Sequence, residues 1–301
     1  MDNNGEKMGK RSERKEMKDE WKKIGRKESK HERILREMRE KLKEAYLPRD
    51  RIIIFGEGML NDIDKTINIL FNRLSEWYAI YFPELELEDR KKYCELVIVI
   101  DKNEMEETKK RINELIGEDD KKSEEIISNL EKSSGIALEK SDIEELIDVA
   151  KYILDLIKLR KKVESYVDKV TKETCLNLST VTGERVTAKL IAHIGGLNKL
   201  ASIPASTIQV LGAEKALFKH LKKKTKPPKH GIIFQHTEIH SSPKEIRGKI
   251  ARALAAKISI AARMDNYGKN FIGDELRKKF EERVKNIKEE FEKKEKQKEK
   301  K

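Results

Sequence analysis

An all-α protein is what this sequence predicts, mainly a long antiparallel coiled coil followed by a small helical C-terminal domain. Three observations lead there. Charged residues make up 41% of the 301 residues and hydrophobic ones 37%, with Lys and Glu abundant, a balance that suits long helices. Apolar residues recur three and four apart over two extended segments. Prolines number six and aromatic residues amount to 6%, which leaves long stretches without a helix breaker.

Residues 1–50 read as a charged N-terminal arm, in which Trp21, Ile24, Ile34, Leu35, Met38 and Leu42 make at most a weak helical stripe. The next stretch, RIIIFGEG at Arg51–Gly58, is ambiguous. Ile52, Ile53, Ile54 and Phe55 suit a buried strand, and Gly56-Glu57-Gly58 invites a turn or a phosphate loop, although no Gly-Lys-Ser/Thr follows. From Asn61 the pattern is clear. Ile63, Ile67, Leu70, Leu74, Trp77 and Tyr81 alternate spacings of four and three, a coiled-coil seam. It ends at Phe82-Pro83, because proline disfavours helical geometry in the residue before it.

Helix is expected again over Glu88–Ile116 and Ser123–Leu130. Ser141 with Glu144 has capping-box spacing and opens a long helix to about Thr174. That helix carries two stripes, Ile143, Ile147, Ala150, Leu154 and Ile157, then Tyr152, Leu156, Leu159, Val163, Tyr166 and Val170. Residues 51–176 are therefore read as a rigid coiled-coil spacer.

Residues 177–280 change character, with less charge and more Ser, Thr, Gly and Ala. A hinge is expected at Leu176–Thr182. Val186, Leu190, Ile191 and Ile194 form a helical face stopped by Gly195-Gly196. An amphipathic helix over Gly212–Leu221 is expected to pack Ala216, Leu217 and Phe218 inward. A basic loop, Lys222–His230, follows. Ser241-Ser242-Pro243 then starts a helix running to Arg263, with Ile246, Ile250, Leu254, Ile258 and Ala261 inward. At about 100° per residue, Lys249, Arg252 and Arg263 share its outer face. Arg247 falls beside the apolar arc and needs a partner. Residues 281–301 form a Lys/Glu-rich tail whose end is expected to be disordered.

A formal charge of +12 favours RNA, DNA or another anionic surface as partner. The two cysteines, Cys94 and Cys175, have no metal-type spacing and point to a reducing compartment. No apolar run is long enough to span a membrane, and no secretory signal is visible; a soluble, cytoplasmic protein is expected. His230, His236 and His240 lack the Cys or glutamate partners of a zinc site. No nucleophile, acid–base pair or nucleotide loop stands out, so neither an enzyme nor a cofactor or metal site is expected.

Three motifs then carry a resemblance. GAEKALF at Gly212–Phe218, PKHGIIF at Pro228–Phe234 and RGKIARALAAKISIAAR at Arg247–Arg263 occur in the order and spacing of the Nop-domain family. These are core proteins of box C/D ribonucleoproteins, with a spliceosomal relative, and the likeness is greatest to archaeal members. It covers roughly Ile52–Arg263, includes SEWYAIYFPEL, and places Arg51–Gly58 at the start of a long helix. It implies that residues 177–280, the Nop domain, dock on a kink-turn guide RNA with its ribosomal-protein-like binder. The RNA- and RNP-binding residues would be Gly212, Ala213, Glu214, Lys215, Lys219, Lys222, Lys226, Lys229, Gln235, His236, Arg247, Lys249, Arg252 and Arg263. Such proteins form homodimers through the coil, here through Ile63, Ile67, Leu70, Leu74, Trp77, Leu156, Leu159 and Val163. A separate N-terminal domain holds fibrillarin, the methyltransferase that adds 2′-O-methyl groups to rRNA and tRNA. In this chain only about fifty residues, rich in charge and poor in strand pattern, precede the coil, which puts fibrillarin recruitment in question. The competing reading is a coiled-coil adaptor that binds protein and no RNA.

Overall fold

The computed structural model describes residues 29–46, 49–117, 121–268 and 270–299, and no strand occurs among them. Helix α1 (Lys30–Tyr46) opens on a capping box: Glu32 N donates to Ser29 Oγ (3.2 Å) and Ser29 N to Glu32 Oε2 (2.8 Å). Ile34, Leu35 and Met38 lie exposed along it. Trp21, Ile24 and the side chain of Leu42 lie outside the described residues.

Helix α2 (Asp50–Tyr78) absorbs the whole RIIIFGEG stretch, so the strand and phosphate-loop readings give way to the helix that the resemblance implied. Beyond it come α3 (Arg90–Val99), α4 (Met105–Ile116), α5 (Lys121–Glu131) and the long α6 (Lys140–Thr174). α2 and α6 run antiparallel. Gly56 lies against Val167 and Asp64 against Arg160, pairs whose numbers rise on one helix as they fall on the other. Gly56 sits at a close approach, since a Cβ there would lie 2.3 Å from Val167 Cγ2, whereas Gly58 faces open space.

Ile63, Ile67 and Leu74 of the seam are buried together with Leu146, Ala150 and Ile153 of α6, while α3, α4 and α5 add Leu96, Ile112 and Leu130 at the far end. The expected continuous helix over Glu88–Ile116 is interrupted. Asp101 turns the chain, its N–H donating to Thr108 Oγ1 (3.1 Å) and its carboxylate accepting from Asn103 N (2.8 Å). The expected capping box at Ser141 is not used either: Glu139 occupies the cap and makes no side-chain bond. The tip between α2 and α3 is tied down by Glu84, which accepts from Ser134 Oγ (2.7 Å), Ser134 N (2.8 Å) and Ser133 Oγ (2.8 Å).

The remaining helices are α7 (Leu176–Thr182), α8 (Glu184–Ile194), α9 (Leu197–Ser202), α10 (Ala205–Val210), α11 (Glu214–Lys223), α12 (Thr237–His240), α13 (Arg247–Tyr267) and α14 (Gly273–Glu299), with a 3-10 turn at Ile232–Gln235. α13 is their central post, with α7, α9, α10 and α14 packed around it. Its Ile250, Leu254, Ile258 and Ala261 are fully buried, as the spacing predicts, and Ala251 and Ala262 are buried with them. The helix begins at Arg247, four residues after Pro243, because Pro243 O is first used by a turn that accepts from Ile246 N (3.2 Å) and Arg247 N (3.3 Å). The roots of α2 and α6 share this core through Ile53, Leu60, Val167 and Val170.

The segment expected to hinge, α7, is packed instead. Asp265 of α13 caps it, accepting from Asn177 N (3.0 Å), Asn177 Nδ2 (2.8 Å) and Leu178 N (2.8 Å). In α14, Leu276, Phe280, Val284 and Ile287 are buried at helical spacing, and the helix continues to Glu299, into the last residues where disorder was expected.

Two predictions follow from the packing and the tip. Gly56→Ala gains about 1 kcal/mol of helix propensity but loses about 1–3 kcal/mol to overpacking against Val167, so urea unfolding shows net destabilisation. Gly58→Ala, with room for its methyl, stabilises by about 0.5–1 kcal/mol in the same assay. The Ser134 hydroxyl and amide, with the Ser133 hydroxyl, lower the Glu84 carboxyl to about 2. A depressed carboxylate contributes stability above its unfolded value and loses it as pH falls toward the folded one. The tip contacts should therefore persist at pH 5 and fade between about pH 4 and 2, read as the carboxyl chemical shift of Glu84.

Candidate nucleic-acid interface

From Lys215 to Thr237 the chain contains Lys215, Lys219, Lys222, Lys223, Lys224, Lys226 and Lys229 and no Asp or Glu. All seven lysines are exposed. Elsewhere cations sit beside carboxylates one turn away, as in Arg73–Glu76 (2.7 Å), Lys151–Asp148 (2.8 Å) and Lys279–Glu275 (2.5 Å). Here no such partner exists within the segment, so a solvated but uncompensated basic surface results.

Local geometry builds that surface. Gly212 takes φ +86°, and a Cβ on it would lie 2.6 Å from Ile232 Cγ1. Its N–H donates to Glu214 Oε1 (2.7 Å), which also lies 2.8 Å from His193 Nε2. Partial burial opposes ionisation of Glu214, but the Gly212 amide and His193 hold its carboxyl below the usual range. Gly212, Ala213 and Glu214, assigned to binding from the sequence, thus form the turn that launches α11. Ala213 is its N-cap, and Lys215 emerges in its first turn.

α11 differs from expectation. None of its residues is buried: Ala216 is exposed, Leu217 half-buried, Phe218 62% exposed and Leu221 67% exposed. The apolar stripe points away from the core. At the end of the helix Lys224 adopts a left-handed backbone (φ 51°), and His220 Nδ1 is bonded to Thr225 O, which folds the basic loop back. The loop returns to the domain where Gly231 N donates to Gln209 O (3.0 Å) and Ile232 N to Leu211 O (2.7 Å).

Lys229 reaches the start of α13, its Nζ donating to Lys244 O (3.3 Å) and its stem lying beside Gly248. Arg247 finds the partners its position demanded. Nε donates to Ser242 O (2.7 Å), Nη2 to His240 O (3.0 Å), and the guanidinium lies over the Phe234 ring at 5.2 Å. Phe234 in turn stacks on His230, with centroids 4.5 Å apart and planes 13° off parallel. Burial, with Arg247 and Lys229 adding, lowers the His230 pKa and favours the neutral ring. The resemblance implied that the Pro228–His240 loop faces the RNA and the bound protein, but His230 and Phe234 were not singled out within it. Their signal was the i,i+4 aromatic spacing across Gly231.

Gln235 and His236 turn elsewhere. Gln235 Oε1 accepts from Lys189 Nζ of α8 (2.7 Å). His236 caps α12, accepting from Glu238 N (3.3 Å), and sets its ring edge-on to Phe280 of α14 at 5.5 Å. Burial lowers its pKa, against the opposing pull of Glu238 and the Val181 carbonyl. Lys249 and Arg252 are exposed on α13 as predicted, and Arg263, also exposed, donates to Ala201 O (3.3 Å).

Of the residues expected to dimerise, Ile63, Ile67 and Leu74 are occupied within the chain's own helix pair, where Leu70, Leu156 and Val163 also pack. Trp77 and Leu159 remain exposed. The correction has a simple reason: a three-and-four stripe on α2 is satisfied by α6 of the same chain. Among the described residues no three His, Cys, Asp or Glu side chains gather as a metal site, and no helix is long and apolar enough to cross a membrane.

Comparison with known proteins bears on the same segment. The chain is 42% identical over 245 residues to an uncharacterised NOP5 family protein of Methanocaldococcus jannaschii, covering 81% of this chain and 58% of that one. It is 35% identical over 244 residues to nucleolar protein 56 of Caenorhabditis elegans (78% and 50% covered) and 36% identical over 241 residues to that of Homo sapiens (78% and 41%). The chain thus spans about half the length of the curated relatives it matches. A solved fibrillarin/Nop5p complex contains a chain aligned over 85% of this one and 78% of its own length, at 26% identity and a TM-score of 0.49. The model of the Nop family, described as "snoRNA binding domain, fibrillarin", matches residues 59–286, and with these relatives it establishes that the chain belongs to the Nop family.

Proposed function

We propose that this protein is a non-enzymatic scaffold of a box C/D ribonucleoprotein of archaeal type, docking on a kink-turn guide RNA already occupied by its ribosomal-protein-like binder. In such a particle the scaffold supports guide-directed 2′-O-methylation by fibrillarin. The observation that carries the reading is the acid-free segment Lys215–Thr237, which holds seven exposed lysines and the His230–Phe234 pair on which Arg247 packs. Unstacked bases are bound by aromatic and imidazole rings, and folded RNA is read through its phosphates and shape. A neutral His230 ring suits a base, and Lys222, Lys226, Lys249 and Arg252 suit phosphates.

Phe218 and Leu221 suit something else. Two apolar side chains this exposed beside lysines match a protein surface, which favours a composite RNA–protein target over RNA alone. The buried Cys94 and Cys175 agree with a reducing, cytoplasmic setting. Homodimerisation falls to the apolar residues that the helix pair leaves exposed, Trp77 and Leu159 with Tyr152 and Tyr166.

A gel-shift titration tests the docking. The protein should shift a kink-turn RNA only when the ribosomal-protein-like binder is present, and fibrillarin is added last to score its recruitment. His230→Ala should weaken the complex by about 1–3 kcal/mol, the worth of one stacked base. Lys249→Gln and Arg252→Gln should each lower the salt slope by about 1. No shift with or without the binder would favour the adaptor reading. For the dimer, Leu159→Glu with Tyr152→Glu should halve the mass measured by light scattering while leaving helicity intact.

A further inference from the structure

Between the helix pair and the C-terminal domain lies a chain of alternating charges that the docking reading leaves unused. Glu57 of α2 is 3% exposed, in the middle of a helix, three residues beyond the apolar Ile54. Its Oε1 lies 2.8 Å from Nη1 of Arg185, in the first turn of α8. The same guanidinium reaches two carboxylates of α6, Glu164 through Nε (3.1 Å) and Asp168 through Nη1 (3.3 Å). Glu164 is shared with Arg160, 2.9 Å away, whose Nε bonds Asp64 of α2 at 2.6 Å. One side chain therefore holds both helices of the pair and the first helix face of the C-terminal domain at once.

We propose that Arg185 is a positioning residue that locks the angle between the α2–α6 helix pair and the C-terminal domain, making the junction a fixed joint. Three features support it. At the root, the close approach of Gly56 to Val167 and the shared apolar core bring α2, α6 and α8 together, which places the Arg185 guanidinium against carboxylates of both helices. Arg185 is aligned to hydrogen-bond Asp168 (3.3 Å), while Glu57 and Glu164 are held as close ion pairs at 2.8 and 3.1 Å. α7, the connection through which the two parts would otherwise flex, is capped by Asp265 and packed. Without Arg185, the carboxylates of Glu57, Glu164 and Asp168 would face one another across the root with only Arg160 and Lys189 nearby. Repulsion would then open the joint. Its consequence for assembly, a fixed reach between the docking face and the tip of the helix pair, rests on the docking reading; the joint itself does not.

The test uses the full chain carrying spin labels at Asn72→Cys on α2 and Ala256→Cys on α13, both exposed, while Cys94 and Cys175 are buried, and dilutes it with excess unlabelled chain so that distances within one chain are read. Double electron–electron resonance should give one narrow distance distribution in the parent and a broadened or shifted one in Arg185→Met, with unchanged helicity by circular dichroism. Arg185→Lys keeps a charge but satisfies one carboxylate at a time, and should give an intermediate width. A distribution as narrow as the parent's and centred at the same distance in Arg185→Met, or in Arg185→Lys should Arg185→Met not fold, overturns the proposal. Gel-shift affinity for the RNA–protein complex is a separate readout, so a failure of docking leaves the distance result standing.

Discussion

Burial of one alanine-rich helix on most of its circumference is the constraint from which the C-terminal domain follows. In α13 the fully buried Ile250, Leu254 and Ile258 each contribute about 1.5–3 kcal/mol, a sum comparable with the net stability of a whole domain. Ala251, Ala255, Ala261 and Ala262 occupy the flanking positions, and their small side chains let α7, α9, α10 and α14 approach from several directions. Asp265 near the end of the helix caps α7, and Arg247 at its beginning gathers the carbonyls of Ser242 and His240. The exposed Lys249, Arg252 and Arg263 are held in fixed relation because the helix that carries them is buried along its other side.

Much of this was legible because long helices advertise themselves. The three-and-four stripes of α2 and α6, the buried arc of α13 and the Gly195 stop of α8 depend on residues within one element. The errors arose where the deciding partner lies elsewhere in the chain. Gly56 reads as a loop former until Val167 is placed against it. Leu176–Thr182 reads as a hinge until Asp265, far along the sequence, supplies its cap. Phe218 obeys the same spacing whether its face meets the core or a partner, so periodicity found the stripe but could not orient it. Arg247 is the intermediate case: its position announced the need for a partner, and only the fold supplied carbonyls and the Phe234 ring.

Charge is used in two ways, and the contrast bears on function. Along the helix pair, cations alternate with acids at one-turn spacing, an arrangement worth a few tenths of a kcal/mol per pair that mainly keeps long exposed helices soluble. At the root, Arg185 and Arg160 bind carboxylates that are partly or wholly withdrawn from water, where charge separation costs more and geometry matters. In Lys215–Thr237 neither arrangement applies. Leaving such a run uncompensated raises the local potential and favours an anionic ligand.

That potential does not by itself distinguish RNA from any other polyanion. The aromatic content beside it does more. A phosphate-only surface has no use for a neutral imidazole stacked on Phe234, nor for Phe218 and Leu221 facing solvent on the helix that carries Lys215, Lys219 and Lys222. Base stacking and phosphate pairing can be satisfied by one RNA, but the apolar face of α11 gains little from a sugar–phosphate backbone. It gains more against a protein that excludes water there. Two chemistries on one continuous segment argue for two components in the target, and a scaffold that needs both at once would discriminate an assembled RNA–protein unit from either part alone.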